Sequence, residues 1–409
     1  MPTEPHLFHA YTEEILAFEW KDTPSRDAVP KECPETELAE HAERLVRLLE
    51  KSRKDRLVLL GIGSGRLLSL LREQLPAATR LTVCESNPAR ARAVREAFPE
   101  LRGTPDGSLQ WLVDTSPWAL VYLLAQDNAL PDQAMIQLNP ELAAKEKSDY
   151  QSLQRTLTLA RPHAAINGTP FGHFAVQAPS LSVGCVLHPD EPDLDNFFAQ
   201  FPDWVEELIV LWDAEEVPPR EISAACPVHQ FARPLNNDFA AQRNHMLEQC
   251  SAEWVLYLDG DERLSDDHWT LMPGLFPVRG VQAYFFPRLT FLPDEDHCRV
   301  GYGLWPDLQL RLFRNHADLR FEQPVHERLT GVSGRTGLIL DAPILHYAHT
   351  RKRPEALAQK LQKFDKASGG SLHHRLSPEY PHLPLRRFLR ANPLCNELRL
   401  LLLPQAPVR

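Results

Sequence analysis

Between Glu35 and Ser52, Leu38, Ala42, Leu45 and Leu49 recur at helical spacing among charged residues, which predicts an amphipathic helix. A short apolar run, Leu57-Val58-Leu59-Leu60, then ends abruptly in Gly61-Ile62-Gly63-Ser64-Gly65. A helix is predicted over Leu67 to Leu75, followed by a second run, Leu81-Thr82-Val83-Cys84, closed by Glu85. Such alternation implies parallel strands joined by helical crossovers, and the apolar runs at Leu109 to Val113 and Ala134 to Leu138 extend the same sheet. From Arg161 to Ser180 the pattern breaks at Pro162, Gly168, Pro170, Gly172 and Pro179, which places a domain boundary there. Alternation then resumes: Leu181 to Leu187 reads as a strand, Leu194 to Phe201 as a helix, and Glu207 to Trp212 as a strand. Phe239 to Cys250 reads as a helix and Trp254 to Leu258 as a strand. A charged helical stretch is predicted from Pro354 to Lys366, and Arg386 to Leu403 combines four arginines with a leucine cluster. The expected organisation is α/β throughout: a Rossmann-like domain over 1–165, a second α/β domain over 166–350 and a helical extension over 351–409.

A chain of 409 residues exceeds one ordinary core, in keeping with two domains and an appendage. With 43% hydrophobic and 24% charged residues the balance is globular. The formal net charge of -11 argues against a nucleic-acid coat, whose phosphate contacts need a basic surplus. The seven cysteines are odd in number and never form a C-x-x-C pair, so neither a zinc site nor a disulfide framework is expected. The start, Met1-Pro2-Thr3-Glu4-Pro5-His6, has no signal-peptide pattern, and no stretch has the length of a membrane-spanning helix. A cytoplasmic location is expected. For Arg386 to Leu403 two readings stand, a basic amphipathic helix on a membrane face or a helix packed on the second domain. Pro393 interrupts the pattern and favours packing.

The densest chemistry is Trp254-Val255-Leu256-Tyr257-Leu258-Asp259-Gly260-Asp261-Glu262, a buried strand running into three carboxylates. In open α/β sheets ligands bind beyond the carboxyl ends of strands. Hard divalent cations such as Mg²⁺ are held there by one or two carboxylates together with substrate phosphates. The triplet alone is common, and in isolation it reads better as an acidic turn capping the next helix. Its context is more specific, because Asn237-Asp238-Phe239-Ala240-Ala241-Gln242-Arg243-Asn244 opens a helix leading into the strand. Together Asp238 to Glu262 resembles the family 2 glycosyltransferases of GT-A (nucleotide-diphospho-sugar transferase) fold. Trp305-Pro306-Asp307 through Arg311-Leu312-Phe313-Arg314, and Val325-His326-Glu327, are similar to segments of the branch that includes lipopolysaccharide-core transferases. The blocks keep their order over roughly residues 180 to 350.

The resemblance implies sugar transfer from a nucleotide-sugar donor to a glycan, lipid-linked or protein acceptor, with inversion and a divalent metal, Mn²⁺ or Mg²⁺. It implies Asp261 as metal ligand, Asp259 as ribose or metal contact, and His326 as a further ligand or acceptor contact. Arg243 suits the diphosphate, since a guanidinium fork fits phosphate oxygens, although a salt bridge to the acidic cluster is an equal alternative. Asp307 and Glu327 are both candidates for the general base. Of Arg311 and Arg314, alternating in a strand-like run, one is expected to face the site. The opening of the domain departs from the family: Val186-Leu187-His188-Pro189-Asp190-Glu191 replaces a lysine-asparagine-glutamate turn. In Leu211-Trp212-Asp213-Ala214-Glu215-Glu216 the usual hydroxyls are missing, so Asp213 supplies the donor contact while the base stays open.

In the first domain, Gly61, Gly63 and Gly65 follow a strand and open a helix, and Glu85 stands about twenty residues on, where ribose hydroxyls are bound in nucleotide folds. Arg66 at the sixth position disfavours a dinucleotide. The spacing resembles S-adenosylmethionine-dependent methyltransferases, but Leu59 stands where those enzymes carry an acid, so that cofactor is not favoured. Leu57 to Glu85 also resembles the N-terminal Rossmann-like domain of motility-associated flagellin glycosyltransferases. A strand–turn–helix packing motif without ligand is the leading reading of this loop. The rivals for the whole chain are a methyltransferase with a glycan- or nucleotide-binding second domain, and a scaffold with both sites vestigial.

Overall fold

The computed structural model describes residues 6–18, 33–104, 107–166, 180–324, 327–348, 350, 380–388 and 397–404. The chain divides into two compact units. One comprises Met1–Ala160, Arg299–Pro306 and Glu379–Leu383; the other comprises Arg161–Cys298, Asp307–Pro378 and Pro384–Arg409. The division therefore falls after Ala160 rather than after residue 165, and two later segments return to the first unit.

The first unit runs α1 (Leu7–Ala17), α2 (Glu35–Ser52), β1 (Arg56–Leu60), α3 (Arg66–Gln74), β2 (Arg80–Glu85), α4 (Pro88–Ala97), β3 (Leu109–Val113), α5 (Pro117–Gln126), β4 (Met135–Leu138) and α6 (Ala144–Leu159). Its strands are parallel in the order β3-β2-β1-β4, so the winding reverses between β1 and β4. The helical periodicity of α2 is realised, with Leu38, Ala42, Leu45 and Leu49 buried. Asn87 caps α4 by accepting from the Ala89 and Arg90 amides, with Pro88 at the first turn where a missing N–H costs nothing. Helix α1 covers the edge strand β3: the Thr12 hydroxyl donates to the Trp111 carbonyl at 2.7 Å and accepts from the Val113 amide at 3.3 Å. Such covering blunts an exposed strand edge. The returning segment Arg299–Pro306 completes this core, with the Tyr302 hydroxyl donating to the Ile15 and Phe18 carbonyls and Trp305 packed on Tyr11 and Tyr122.

The second unit contains β5 (Arg161–Ile166), β6 (Leu181–Leu187), α7 (Leu194–Ala199), β7 (Glu207–Trp212), β8 (Val228–Ala232), α8 (Phe239–Gln249), β9 (Trp254–Tyr257), β10 (Glu262–Arg263), α9 (Asp266–Leu271) and β11 (Val281–Thr290). It continues with β13 (Leu308–Arg314), β14 (Arg320–Glu322), β15 (Arg328–Thr330), β16 (Arg335–Ile339), β17 (Ile344–His346) and β19 (Glu397–Leu402), while the short strands β12 (His297–Arg299) and β18 (His382–Pro384) lie where the chain passes from one unit to the other. The main path of its mixed sheet is β5-β19-β16-β11-β13-β9-β6-β7-β8. Strands β8, β7, β6 and β9 are parallel and repeat the winding of the first unit, reversing between β6 and β9. Continuous apolar runs bury both faces of these strands: Leu208, Val210 and Trp212 enter one core, and Ile209 and Leu211 the other.

The C-terminal stretch corrects the expectation of a helix, because Glu397–Leu402 is a strand between β16 and β5. Leu398, Leu400 and Leu402 share one core face at period two, and Arg399 turns away to a bidentate pair with Asp341 at 2.6–3.1 Å. The predicted helix over Pro354–Lys366 lies outside the described residues. Among the described residues no helix is long and apolar enough to cross a membrane.

Candidate functional site

In the first unit the glycine loop is closed by its own protein. Gly61, Gly63 and Gly65 have φ of 82°, 60° and 89°, a region that L side chains rarely adopt. A Cβ on Gly61 would stand 2.4 Å from Leu142 Cδ2, and one on Gly63 would stand 2.4 Å from Glu141 Oε2. The glycines thus let the chain after β4 fold onto the loop, and Glu141 Oε2 accepts from the Ser64 amide at 3.2 Å. Glu85 is wholly buried; it accepts from the Ile62 amide at 2.9 Å, the Asn87 amide at 2.8 Å and the Tyr150 hydroxyl at 3.3 Å. Burial pushes its pKa up, against the pull of Arg90 and the two amides. The acid expected to meet a ribose points into this packing.

The second unit presents its acids differently. The buried strand β9 ends at Tyr257, and Asp259, Asp261 and Glu262 follow at the turn where the winding reverses. Glu262 is fully buried and accepts from the Asp259 amide at 3.1 Å, so the turn is held by its own third acid. The Asp259 side chain is 33% exposed and receives Arg243 Nη2 at 3.0 Å and Arg311 Nη2 at 2.7 Å. Burial raises its pKa, but Arg311, Arg243 and Arg288 outweigh this and hold it well below the usual carboxylate range.

These contacts belong to one alternating chain of charges. Asp307 receives Arg288 Nη2 at 2.7 Å, and Arg288 Nη1 reaches Glu262 at 3.0 Å. Glu262 receives Arg311 at 2.6 Å, and Arg311 passes to Asp259 at 2.7 Å. From Asp259, Arg243 leads to Glu327 at 2.8 Å. The two base candidates are the ends of this chain, and Asp259 and Glu262 lie in its interior. Arg311 lies at its centre with its side chain 2% exposed, whereas Arg314 pairs with Glu253 at the surface, so one of the two arginines does face the site. Burial opposes the charge of Arg243, but Asp259, Tyr257 and Glu327 raise its pKa. Its guanidinium also lies over the Tyr257 ring at 4.6 Å.

The ends differ. Both Asp307 oxygens are engaged, Oδ2 by Arg288 and Oδ1 by Gln309 Nε2 at 2.7 Å. Burial works to raise the Asp307 pKa, and Arg288 with Gln309 lowers it. Glu327 is held through Oε1 alone in the described contacts. Asp261 faces the imidazole of His346, Nε2 to Oδ1 3.6 Å, because β17 pairs with β10 and sets His346 opposite Glu262. The Thr290 hydroxyl lies 2.9 Å from His346 Nδ1 and orients the ring. Asp213, after β7, accepts the Leu235 amide at 2.7 Å. His326 lies outside the described residues. Beside α8 an open pocket of about 290 Å³ is lined by Asp238, Asn244, Arg320, Glu322, Gln323 and Phe321, whose ring lies 5.8 Å from the Arg243 guanidinium.

Sequence reasoning missed Arg288 and His346. The signal for Arg288 was a lone cation inside the apolar strand Ala283 to Leu289; His346, at the end of Ile344-Leu345-His346, carried no motif.

No protein-family model matches the chain. Over 149 residues it is 32% identical to a TPR repeat-containing protein of Synechococcus elongatus, covering 35% of this chain and 34% of that one. Over 154 residues it is 28% identical to the lipopolysaccharide core biosynthesis glycosyltransferase LpsC of Rhizobium meliloti, covering 36% of this chain and 52% of that protein. The chain thus spans about a third and about half the length of these curated relatives. Among solved structures, S. aureus TarS 1-349 in complex with UDP-GlcNAc is similar at 13% identity and TM-score 0.31, over 46% of this chain and 64% of that one. The O-methyltransferase TomG of Streptomyces achromogenes is similar at 17% identity and TM-score 0.23, over 41% and 74%. Scores this low decide nothing about the fold. The sequence similarity to LpsC supports a relationship between this chain and the glycosyltransferases.

Proposed function

We propose that the second unit is the catalytic part of a GT-A glycosyltransferase of the family 2 kind. It transfers a sugar from a nucleotide-sugar donor to a glycan, lipid-linked or protein acceptor, with inversion and with Mn²⁺ or Mg²⁺. The observation that carries this reading is the gathering of Asp259 and Glu262 with Asp307 and Glu327 through three arginines, with Asp261 of the same turn set beside His346. A cytoplasmic enzyme at the inner membrane face would suit a lipid-linked acceptor.

Among the described residues no three His, Cys, Asp or Glu side chains converge as a ready metal nest. Asp261 and His346 nonetheless fit a cation such as Mn²⁺ that takes its remaining ligands from diphosphate and water, and Mg²⁺ would rest on Asp261 alone of the two. The Thr290 contact presents His346 Nε2 towards Asp261, an outer partner of the kind that orients metal-binding imidazoles. A bound cation would neutralise charge gathering on the departing diphosphate. Asp259, engaged by two arginines, suits a donor-orienting role better than that of a ligand. Asp213 keeps one oxygen for the ribose or base while the other fixes the Leu235 amide.

Glu327 is the better base, because Asp307 has a partner on each oxygen and a lowered pKa. In this reading Glu327 takes the proton of the acceptor hydroxyl. The hydroxyl oxygen attacks the anomeric carbon on the face opposite the diphosphate, and the bond to the diphosphate oxygen breaks. The acceptor approaches from the pocket beside α8, whose carboxylate, amide and guanidinium groups match sugar hydroxyls. The first unit is read as a packing domain without cofactor, since its glycine loop is filled. Calorimetric titration of UDP-, GDP- and dTDP-sugars with Mn²⁺ tests the reading. Saturable binding that a chelator weakens is expected; no binding by any donor rejects it.

A further inference from the structure

Arg243 reaches Asp259 and Glu327 through the same nitrogen, Nη2, at 3.0 and 2.8 Å. Its guanidinium is laid over Tyr257 at 4.6 Å and Phe321 at 5.8 Å, so its N–H fork is directed at groups near the plane of those contacts. The other two arginines are committed elsewhere. Arg311 is buried between Asp259 and Glu262, and Arg288 grips Asp307 with two nitrogens and Glu262 with a third. Arg243 is therefore the arginine of the chain whose partner, Glu327, is held by a single contact in the described residues. While Glu327 Oε1 holds Arg243 Nη2, that oxygen is turned to the guanidinium and not to an incoming hydroxyl. A phosphate matches the same fork with more charge.

We infer that Glu327 is an internal stand-in for a donor phosphate on Arg243, so that donor binding is the event that frees the base. The inference rests on the glycosyltransferase reading of this site. On donor binding the Glu327 carboxylate leaves Arg243 Nη2 and a phosphate oxygen takes its place. No proton moves in that exchange. Glu327 then accepts the proton of the acceptor hydroxyl, and the donor must bind before the acceptor can react. Removing the stand-in should strengthen donor binding while it abolishes turnover, which a base without this role would not do.

The experiment titrates UDP, GDP, dTDP and pyrophosphate, each with Mn²⁺, into the full chain. It compares the parent with Glu327→Gln, Asp307→Asn, Arg243→Met and the Glu327→Gln/Arg243→Met pair, with circular dichroism and melting as checks of folding. Glu327→Gln is expected to bind about tenfold more tightly, the scale of one charge-assisted hydrogen bond. Asp307→Asn should bind as the parent does, and the Glu327→Gln gain should vanish when Arg243 is already Met. Glu327→Asp, with a shorter reach, should move affinity the same way by a smaller factor, so the idea stays testable should the amide fail to fold. Unchanged or weaker binding by a folded Glu327→Gln overturns the inference, and so does an equal gain in Asp307→Asn, which would mark general electrostatics. In both cases the glycosyltransferase reading stands. A folded parent that binds none of the probes overturns both.

Discussion

Two sheets with the same winding, β3-β2-β1-β4 in the first unit and β8-β7-β6-β9 in the second, treat their strand-end acids in opposite ways. In the first, Glu85 closes β2 and Asp114 follows β3; both are fully buried and both are pushed up in pKa, Asp114 to about 7. Their partners are backbone amides, tyrosine hydroxyls and, for Glu85, an arginine at 3.8 Å. In the second, Asp259 follows β9, keeps a third of its side chain in solvent and is held below the ordinary range by arginines. An acid at a carboxyl strand end is thus an opportunity that the neighbouring loops decide. Where the following segment closes over the turn, as Glu141 and Leu142 do at Gly61 and Gly63, the acid becomes part of the packing. Where cations gather and solvent remains, it stays an ion available to a ligand.

The sharpest break in that comparison is catalytic. Glu327→Gln should lower transfer, or slow hydrolysis of the donor, by about 10²–10⁴-fold, the usual cost of losing a general base. Asp307→Asn should cost less, because both Asp307 oxygens serve Arg288 and Gln309. A folded Glu327→Gln with near-parental turnover would move the base elsewhere.

Next in size is Arg311→Met. The guanidinium is buried between Asp259 and Glu262, and its removal leaves two carboxylates without their central cation. Breaking a buried pair from one side costs about 3–5 kcal/mol, which urea unfolding reads directly. A loss below about 1 kcal/mol would mean that the arginines do not hold the second unit's acids together.

A pH series sharpens the other side. Asp114 has its folded pKa raised to about 7 by burial, against the hydrogen bonds of Tyr11, Ser116 and Gly303. Below about pH 4 the group is protonated folded and unfolded alike, and its contribution is fully present. Between about pH 4 and 7 the unfolded chain ionises while the folded one resists, so stability falls as pH rises, by at most about 1.4 kcal/mol per unit. Asp114→Asn should flatten that fall in urea titrations at pH 4.5, 6 and 7.5. An unchanged slope would assign it to other groups.

How much of this the sequence disclosed follows from the range of the interactions. Periodicity over α2 and the apolar runs of β1, β2, β7 and β9 act locally, and those elements lie where the pattern put them. The strand at Glu397–Leu402 was read as a helix because its partners, Leu338 and Ala165 among them, are remote in sequence. Asp259, Asp261 and Glu262 were legible as one strand-end block. Arg288 and His346 were not, since β11 and β17 bring them to the acids only after the mixed sheet forms. The glycine loop was legible as a tight turn, but what fills it comes from residues 139–142, beyond any local motif.

The smallest effect tests whether the first unit's loop is a packing device at all. Gly63 has φ 60° and its missing Cβ would meet Glu141 Oε2 at 2.4 Å and Asn139 Nδ2 at 2.9 Å. Gly63→Ala should therefore cost roughly 1–2 kcal/mol, from backbone strain and from displacing Glu141, whose Oε2 accepts the Ser64 amide. If the loop only packs, the variant melts earlier while nucleoside diphosphate affinity is unchanged. S-adenosylmethionine should leave the melting temperature of parent and variant where it was, because a ligand that binds only the native state raises it by mass action. A clear upward shift with S-adenosylmethionine in the parent, lost in Gly63→Ala, would show that the crevice opens to a nucleoside after all. Glu85 would then have to exchange its amide and tyrosine partners for ribose hydroxyls, and the contrast between the two units would reduce to which crevice is closed at rest.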